Sequence, residues 1–171
     1  SSVIDKFPFS SDTNATNIAS LTQARSDLAG HSSTTNGYSA GGWIGSNSNT
    51  IDKFPFSSDT NATDVGDIYA GRSSMTGQSS STNGYTSGGS VSGGTIDKFS
   101  FSSDTNGTDV GELLGAYIDP AGQSGTTFGY LSGGQSPAFS NVIQKFPFSS
   151  DTSSTDVGDL TQARGRVEGQ Q

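Results

Sequence analysis

The sequence predicts an all-β chain built from repeated four-stranded units of the β-propeller kind. Three observations predict it. The stretch Ile51 to Asp67, IDKFPFSSDTNATDVGD, occurs four times, with copies starting at Ile4, Ile51, Ile96 and Ile143 at offsets of 47, 45 and 47 residues, the length of one propeller blade or large solenoid unit. Apolar residues are few: Leu, Ile, Val and Phe make up 31 of 171, and hydrophobic residues 29% in all. A net charge of −8 over this length is too weak to hold the chain unfolded by self-repulsion, so the supply suits small cores repeated along the chain rather than one large one.

Each unit reads as two hairpins. IDKFPF carries β-branched and aromatic residues that suit a pleated, half-buried surface. SSDTNAT is a turn of side chains that compete for backbone groups, and TDVGDLTQAR is the returning strand. The other half is shorter: small residues from Ala29 to Thr35, an Asn36-Gly37 pair expected to form a turn at positive φ, then Gly37 to Gly42. The unit bounds are 1–25 (partial), 26–72, 73–117, 118–164 and the start of another at 165–171, about three and a half blades. Propellers close with four to eight blades, so the expectation is a part of a longer chain, or a ring closed by further blades or by other subunits.

The aligned copies separate scaffold from variation. Phe7, Phe54, Phe99 and Phe146 share one column, and Phe9, Phe56, Phe101 and Phe148 the next. Tyr38, Tyr85 and Tyr130 recur, as do the pairs Gly41-Gly42, Gly88-Gly89 and Gly133-Gly134. Recurring aromatics are expected to pack one unit on the next, and recurring glycines to mark close backbone approach or positive φ. Lys6, Lys53, Lys98 and Lys145 stand beside Asp5, Asp52, Asp97 and Gln144, a pattern read as solvated charge along strand edges. Arg25, Arg72 and Arg164 precede the first strand of a unit, with Tyr117 in the same column, and are expected to bond structurally to a neighbouring unit.

HSSTTNGYSAGG, then NTIDKFPFSSD, then LTQAR resembles the kelch repeat: a small-residue strand, a strand ending in a double glycine after an aromatic, a variable loop, and an Arg leading into the next unit. The fourth-strand Trp usual in kelch units is missing here. The wording IDKFPFSSDTNATDVGDLTQAR also resembles kelch-like proteins encoded by marine bacteriophages, cyanophages above all. That resemblance implies a non-enzymatic particle or tail-fibre component, virion-borne or extracellular, whose partners are other virion or fibre proteins and cell-surface glycans.

Composition excludes several functions. Sixteen acidic against eight basic residues repel polyphosphate, which disfavours nucleic acid and anionic membranes. No apolar run approaches the roughly 20 residues of a membrane span, so no membrane insertion is expected. Without cysteine there is no thiolate metal site or disulfide. Gly37 to Gly41 matches G-x-S-x-G, but Ser39 becomes Thr86 and Leu131, and the one histidine, His31, is Gln78 and Gln123 elsewhere. A hydrolase is therefore not expected, although propellers can house glycosidase- or lyase-like sites in a central channel. An adaptor that binds a partner peptide is a further alternative.

Two binding candidates remain. Asp59, Asn61, Thr63 and Asp67, with Asp104, Asn106, Thr108 and Glu112 in the next copy, place oxygen ligands at alternate positions before a closing carboxylate, the pattern of a calcium loop, although the central glycine of such a loop is absent. Backbone-bonded turn side chains explain the same residues, and no cofactor is otherwise expected. The loop after each double glycine differs in length and wording, WIGSNSNT, SVSGGT and QSPAFSNV. Function is commonly grafted onto such loops of a rigid scaffold, so Trp43, Ile44, Pro137 and Phe139 are the candidate ligand contacts.

Overall fold

The computed structural model describes residues 1–167 and 169. Among these the chain forms fourteen strands and no helix. Strands β1 (Val3–Lys6) and β2 (Thr16–Ser20) make a two-stranded hairpin. Three antiparallel sheets of four strands follow in simple sequence order. The first holds β3 (Ala29–Ser32), β4 (Asn36–Ala40), β5 (Thr50–Pro55) and β6 (Thr63–Asp67). The second holds β7 (Met75–Ser79), β8 (Asn83–Gly88), β9 (Thr95–Ser100) and β10 (Thr108–Glu112). The third holds β11 (Ala121–Ser124), β12 (Phe128–Ser132), β13 (Val142–Pro147) and β14 (Thr155–Asp159).

The cores lie between neighbouring sheets. One joins Tyr38, Ala40, Ile51 and Ile68 of the first sheet and its link to Met75 and Phe99 of the second. The other joins Tyr85, Ile96 and Leu113 to Leu131 and Phe146 of the third. Each large side chain so buried contributes roughly 1.5–3 kcal/mol. The recurring aromatics are therefore the seam between units, as the columns suggest. Tyr38 stacks on Phe101 of the next sheet at 4.8 Å and 22°, and Tyr85 repeats this on Phe148 at 4.8 Å and 23°.

The Asn36-Gly37 turn is not found. Both residues lie inside β4, and the turn is made by Ser33 to Thr35. Ser33 Oγ accepts the N–H groups of Thr35 and Asn36, at 3.2 and 3.0 Å, and so closes the turn itself. Gly37 is needed for another reason. A Cβ there would stand 2.3 Å from Phe54 Cζ, and Gly84 and Gly129 meet Phe99 and Phe146 in the same way. The glycine makes room for the aromatic ring of the adjacent strand.

The first strands of the sheets stand side by side, β3 against β7 and β7 against β11. Small residues permit this: a Cβ on Gly77 would lie 2.2 Å from Gly30 O, and one on Gly122 2.3 Å from Thr76 Oγ1. Across the seams His31 Nε2 lies 2.9 Å from Tyr85 O, and Gln78 Nε2 donates to Tyr130 O at 3.1 Å. The histidine and the glutamine of one column thus do one job.

Candidate binding face

In a four-stranded antiparallel sheet read in chain order, the loop between the second and third strands and the link into the first strand emerge at the same end. The variable loops (43–49, 90–94 and 135–141) and the links (21–28, 68–74 and 113–120) accordingly share one face. The opposite face carries the turns SSTTN, SSSTN and the nearly identical SSDTNAT, SSDTNGT and SSDTSST. Differences between copies concentrate on the first face.

That face also holds exposed apolar side chains. Trp43, Ile44 and Phe139 are exposed at 46%, 44% and 55%, and Pro137 is exposed as well. Tyr69 and Leu114 of the links and Val91 of the shortest loop join them. The loops are held firmly. Trp43 pairs with Ser26 through both backbone bonds, at 3.2 and 2.8 Å, and Asn47 Oδ1 accepts from the hydroxyls of Ser73 and Ser90 in the next unit. The loop that is two residues shorter closes through Val91 and Ser92, with φ of 51° and 57°. Val91 is β-branched, so this left-handed backbone is strained.

Toward the middle, Asp27, Ser74, Asp119 and Arg166 occupy one column and all take φ between 52° and 57°. They are chained around the inner strands: Ser74 N–H donates to Asp27 O, Asp119 N–H to Ser74 O, and Arg166 N–H to Asp119 O, at 3.0, 2.9 and 2.9 Å. These residues open onto a cavity of about 820 Å³ that runs down between β3, β7 and β11. Arg166 Nε lies 3.5 Å from Asp119 Oδ2, and Asp27 Oδ2 accepts from Ser26 Oγ at 3.1 Å. Sequence reasoning did not single out this column, whose residues change from copy to copy, Asp, Ser, Asp, Arg, as the columns on either side also do.

Beneath the face lie two buried ion pairs. Arg25 Nη2 is 2.8 Å from Asp52 Oδ2 and Arg72 Nη2 is 2.7 Å from Asp97 Oδ2, with every one of these side chains fully buried. This corrects the reading of Asp52 and Asp97 as solvated edge charges. The repeat is blind to the difference because Asp and Lys alternate along the strand and so face opposite sides. Each arginine also donates to backbone carbonyls of the unit it enters, Arg25 to Thr50 and Ser39, Arg72 to Ser92, Thr95 and Thr86. Burial lowers both arginine pKa values against the pull of the acids. Burial likewise pushes Asp97 up to about 6 despite Arg72. In the third sheet Tyr117 and Gln144 replace both charges together, and Gln144 Oε1 accepts from Leu114 N–H and Ser154 Oγ.

Asp59, Asn61, Asp104 and Asn106 sit in the turns of the opposite face, Asp67 and Glu112 at the other ends of the strands that follow, and the residues of the calcium pattern are not brought together around a common point. Asp59 Oδ1 bonds Lys6 Nζ at 2.9 Å, and Asp104 Oδ1 bonds Lys53 Nζ at 2.8 Å. Asn61 and Asn106 accept the backbone N–H groups of Ser20 and Asp67, at 3.0 and 3.1 Å. Thr63 and Thr108 begin the exposed ends of β6 and β10, and Asp67 and Glu112 end those strands. Among the described residues no group of three or more His, Asp or Glu side chains is placed to hold a metal ion. The spacing fits a calcium loop, yet the turn stays open because its side chains bond the preceding unit. His31 and Ser39 likewise belong to opposite sides of their sheet, since His31 pairs with Tyr38 and Gly30 with Ser39.

No protein-family model matches the chain, and no curated protein matches it. Its fold does have counterparts among solved structures. The structure of YjhT superposes on 89% of this chain with a TM-score of 0.72 at 10% identity. The chain spans 57% of the length of YjhT. At that identity the likeness is one of fold.

Proposed function

We propose that the chain forms kelch-like β-propeller blades, about three and a half of them, and serves without turnover as a structural and adhesive part of an extracellular or virion assembly, such as a phage fibre. The observation that carries this reading is the division between the two faces. One face repeats its wording and ties unit to unit, while the other varies from copy to copy and exposes Trp43, Ile44 and Phe139. A scaffold of this kind keeps its shape while its loops change. Four-stranded sheets in chain order and the likeness to YjhT support the blade architecture; the wording of the repeat, similar to that of marine phage proteins, supports the setting.

The ligand class that suits the face is a protein surface or a glycan: flat apolar side chains give area, and the polar loops around them give hydrogen bonds. Many copies on one particle would then raise a weak contact to a useful avidity. The test is binding of the purified chain to immobilised cell-surface glycans and to purified particle proteins, with the double variant Trp43→Ala/Phe139→Ala beside it. Loss of at least about tenfold in affinity, near 1.4 kcal/mol, is expected, with melting temperature unchanged and the bound glycan recovered intact. Undiminished binding by the variant, or cleavage of the glycan, would overturn the proposal.

A further inference from the structure

Three Asn-Gly pairs occur in the chain, Asn36-Gly37, Asn83-Gly84 and Asn106-Gly107. In such a pair the glycine's backbone nitrogen can attack the side-chain amide carbon of the asparagine, because no Cβ crowds the approach. Every other asparagine here precedes a residue with a side chain. The fold treats the three pairs differently. Asn36 and Asn83 open β4 and β8, and their glycines lie inside those strands. Gly37 is paired with Ser32 on one side and Phe54 on the other, and Gly84 with Ser79 and Phe99. Each asparagine Nδ2 also donates to the preceding threonine hydroxyl, Thr35 or Thr82, at 2.9 Å. Ladders on both sides hold this backbone extended, so neither amide can swing over the nitrogen that follows it.

Asn106 and Gly107 belong instead to the turn between β9 and β10, outside either strand, and Asn106 is exposed. The turn rests on the end of β6. Asp67 N–H donates to Asn106 Oδ1 at 3.1 Å, and Gly107 N–H donates to Asp67 O at 2.7 Å. The fit is close, since a Cβ on Gly66 would stand 2.9 Å from the Thr105 carbonyl carbon. The other three copies of the turn carry Asn14-Ala15, Asn61-Ala62 and Ser153-Ser154 at these positions. Asn-Gly therefore stands at one seam, between the first and second sheets.

We propose that Asn106-Gly107 is a site of spontaneous deamidation, and that its conversion to isoaspartate loosens this one seam as the protein ages. The Asp67 N–H polarises the Asn106 carbonyl toward attack. Gly107 N–H must first leave Asp67 O, so the reaction runs from a locally opened turn, which costs less than opening a central strand. The Gly107 nitrogen then gives its proton to hydroxide and bonds to Cγ of Asn106; the Cγ–Nδ2 bond breaks and ammonia leaves. Water opens the resulting cyclic imide. Addition at Cγ gives aspartate, which still offers Asp67 N–H an acceptor. Addition at the backbone carbonyl gives isoaspartate, whose main chain is longer by a methylene. That extra length displaces Gly107 from Asp67 O and the turn from Gly66. The inference stands apart from what the variable loops bind.

The test is to age the 171-residue chain at neutral and mildly alkaline pH and to follow each Asn-Gly peptide by mass, with isoaspartate read by enzymatic methylation. In the folded chain the Asn106 peptide should convert at least about tenfold faster than those of Asn36 and Asn83, and faster at the higher pH. In denaturant the three should convert at similar rates, as in a short unstructured peptide. The aged protein should melt at least about 2 °C lower. Two unaged variants separate the chemistry from general decay. Asn106→Ser installs the residue of the fourth copy, where Ser153 Oγ accepts Glu112 N–H at 3.1 Å, and should keep its melting temperature on ageing. Asn106→Asp reproduces the direct product and should melt close to the fresh parent. Conversion at Asn36 or Asn83 as fast as at Asn106 would overturn the proposal. So would an Asn106 still intact when the unstructured peptide is fully converted, or an isoaspartate form that melts like the fresh parent.

Discussion

Arg72 and Asp97 form a fully buried ion pair at 2.7 Å in which one carboxylate oxygen, Asp97 Oδ1, has no hydrogen-bond partner among the described residues. The equivalent pair is better served. Asp52 accepts from Arg25, and Thr22 gives it both its hydroxyl, at 2.6 Å, and its N–H, at 3.1 Å. At the second site Tyr69 stands in the place of Thr22 and offers only its N–H. A buried acceptor left unmade costs about 1–3 kcal/mol, which locates a specific weakness at this seam.

Tyr69→Thr should therefore stabilise the protein. Tyr69 is 64% exposed, so little packing is lost, and the new hydroxyl can reach Asp97 as Thr22 reaches Asp52. A gain of about 1 kcal/mol corresponds to roughly 2–4 °C in melting temperature for a chain of this size. Removing one partner is the contrasting case. Asp97→Gln alone leaves a buried guanidinium unpaired and should cost about 3–5 kcal/mol. Adding Arg72→Tyr copies Tyr117 and Gln144 of the next seam and should restore part of that loss. Denaturant unfolding of the three proteins reads the cycle, and equal stabilities of the single and double variants would refute the coupling.

A second prediction concerns glycine. Gly84→Ala would place a methyl 2.3 Å from Phe99 Cζ, in a ring that is only 3% exposed and has no free direction to move. Overpacking of this kind costs about 1–3 kcal/mol. Gly30→Ala has nothing within 4 Å of the added atom and no positive φ, and should be near neutral. Thermal melts of the two variants side by side check the claim that the glycine of the second strand serves the aromatic ring and not a turn.

The third prediction is a pH dependence. Burial pushes the His31 pKa down to about 4, below the ordinary value near 6.5. The imidazole donates from Nε2 to Tyr85 O while Nδ1 is buried without a partner among the described residues. Between pH 6.5 and 4 the unfolded chain binds the proton and the folded one does not. His31 therefore supports the fold fully above pH 6.5 and withdraws that support as pH falls through this window. Asp97, raised to about 6, acts in the opposite sense: it favours the fold at low pH and loses that effect as pH rises from about 4 to 6. The two oppose one another in the parent. His31→Gln, which installs the residue that performs the same bond at Gln78, should keep the fold and remove one of them. The stability of the parent minus that of the variant should drop as pH is lowered from 6.5 to 4. A difference that does not change with pH would sink this account.

Much of the scaffold is legible in the residues themselves. Period and alternation place the strand pairs IDKFPF and TDVGD close to β5 and β6, and the aromatic columns are the seams. Other features were hidden for identifiable reasons. Asn36-Gly37 has the chemistry of a hairpin turn, but Ser33 captures the backbone first and Phe54 requires the glycine. The acids of the SSDTNAT turn have the spacing of a cation loop, but the ammonium groups of Lys6 and Lys53 come from the neighbouring unit and reach them instead. One clue was available: Asp becomes Gln144 in the unit that is entered through Tyr117 in place of Arg, as expected if the two positions touch.

The sequence by itself determines the repeat, the strand order within it and the residues that recur at every seam, because those follow from local alternation and from a period that any reader of the chain can measure. Which of two alternating acids is buried, which glycine is a turn and which a gap for a ring, and which loops share a face were decided only by tertiary structure. Asp52 and Asp64 stand opposite one another on paired strands, yet Asp64 is exposed while Asp52, like Asp97, is fully enclosed. The difference is made by an arginine arriving from the preceding link, and such a partner, 25 or 27 residues away, is chosen by packing between units and not by anything within one.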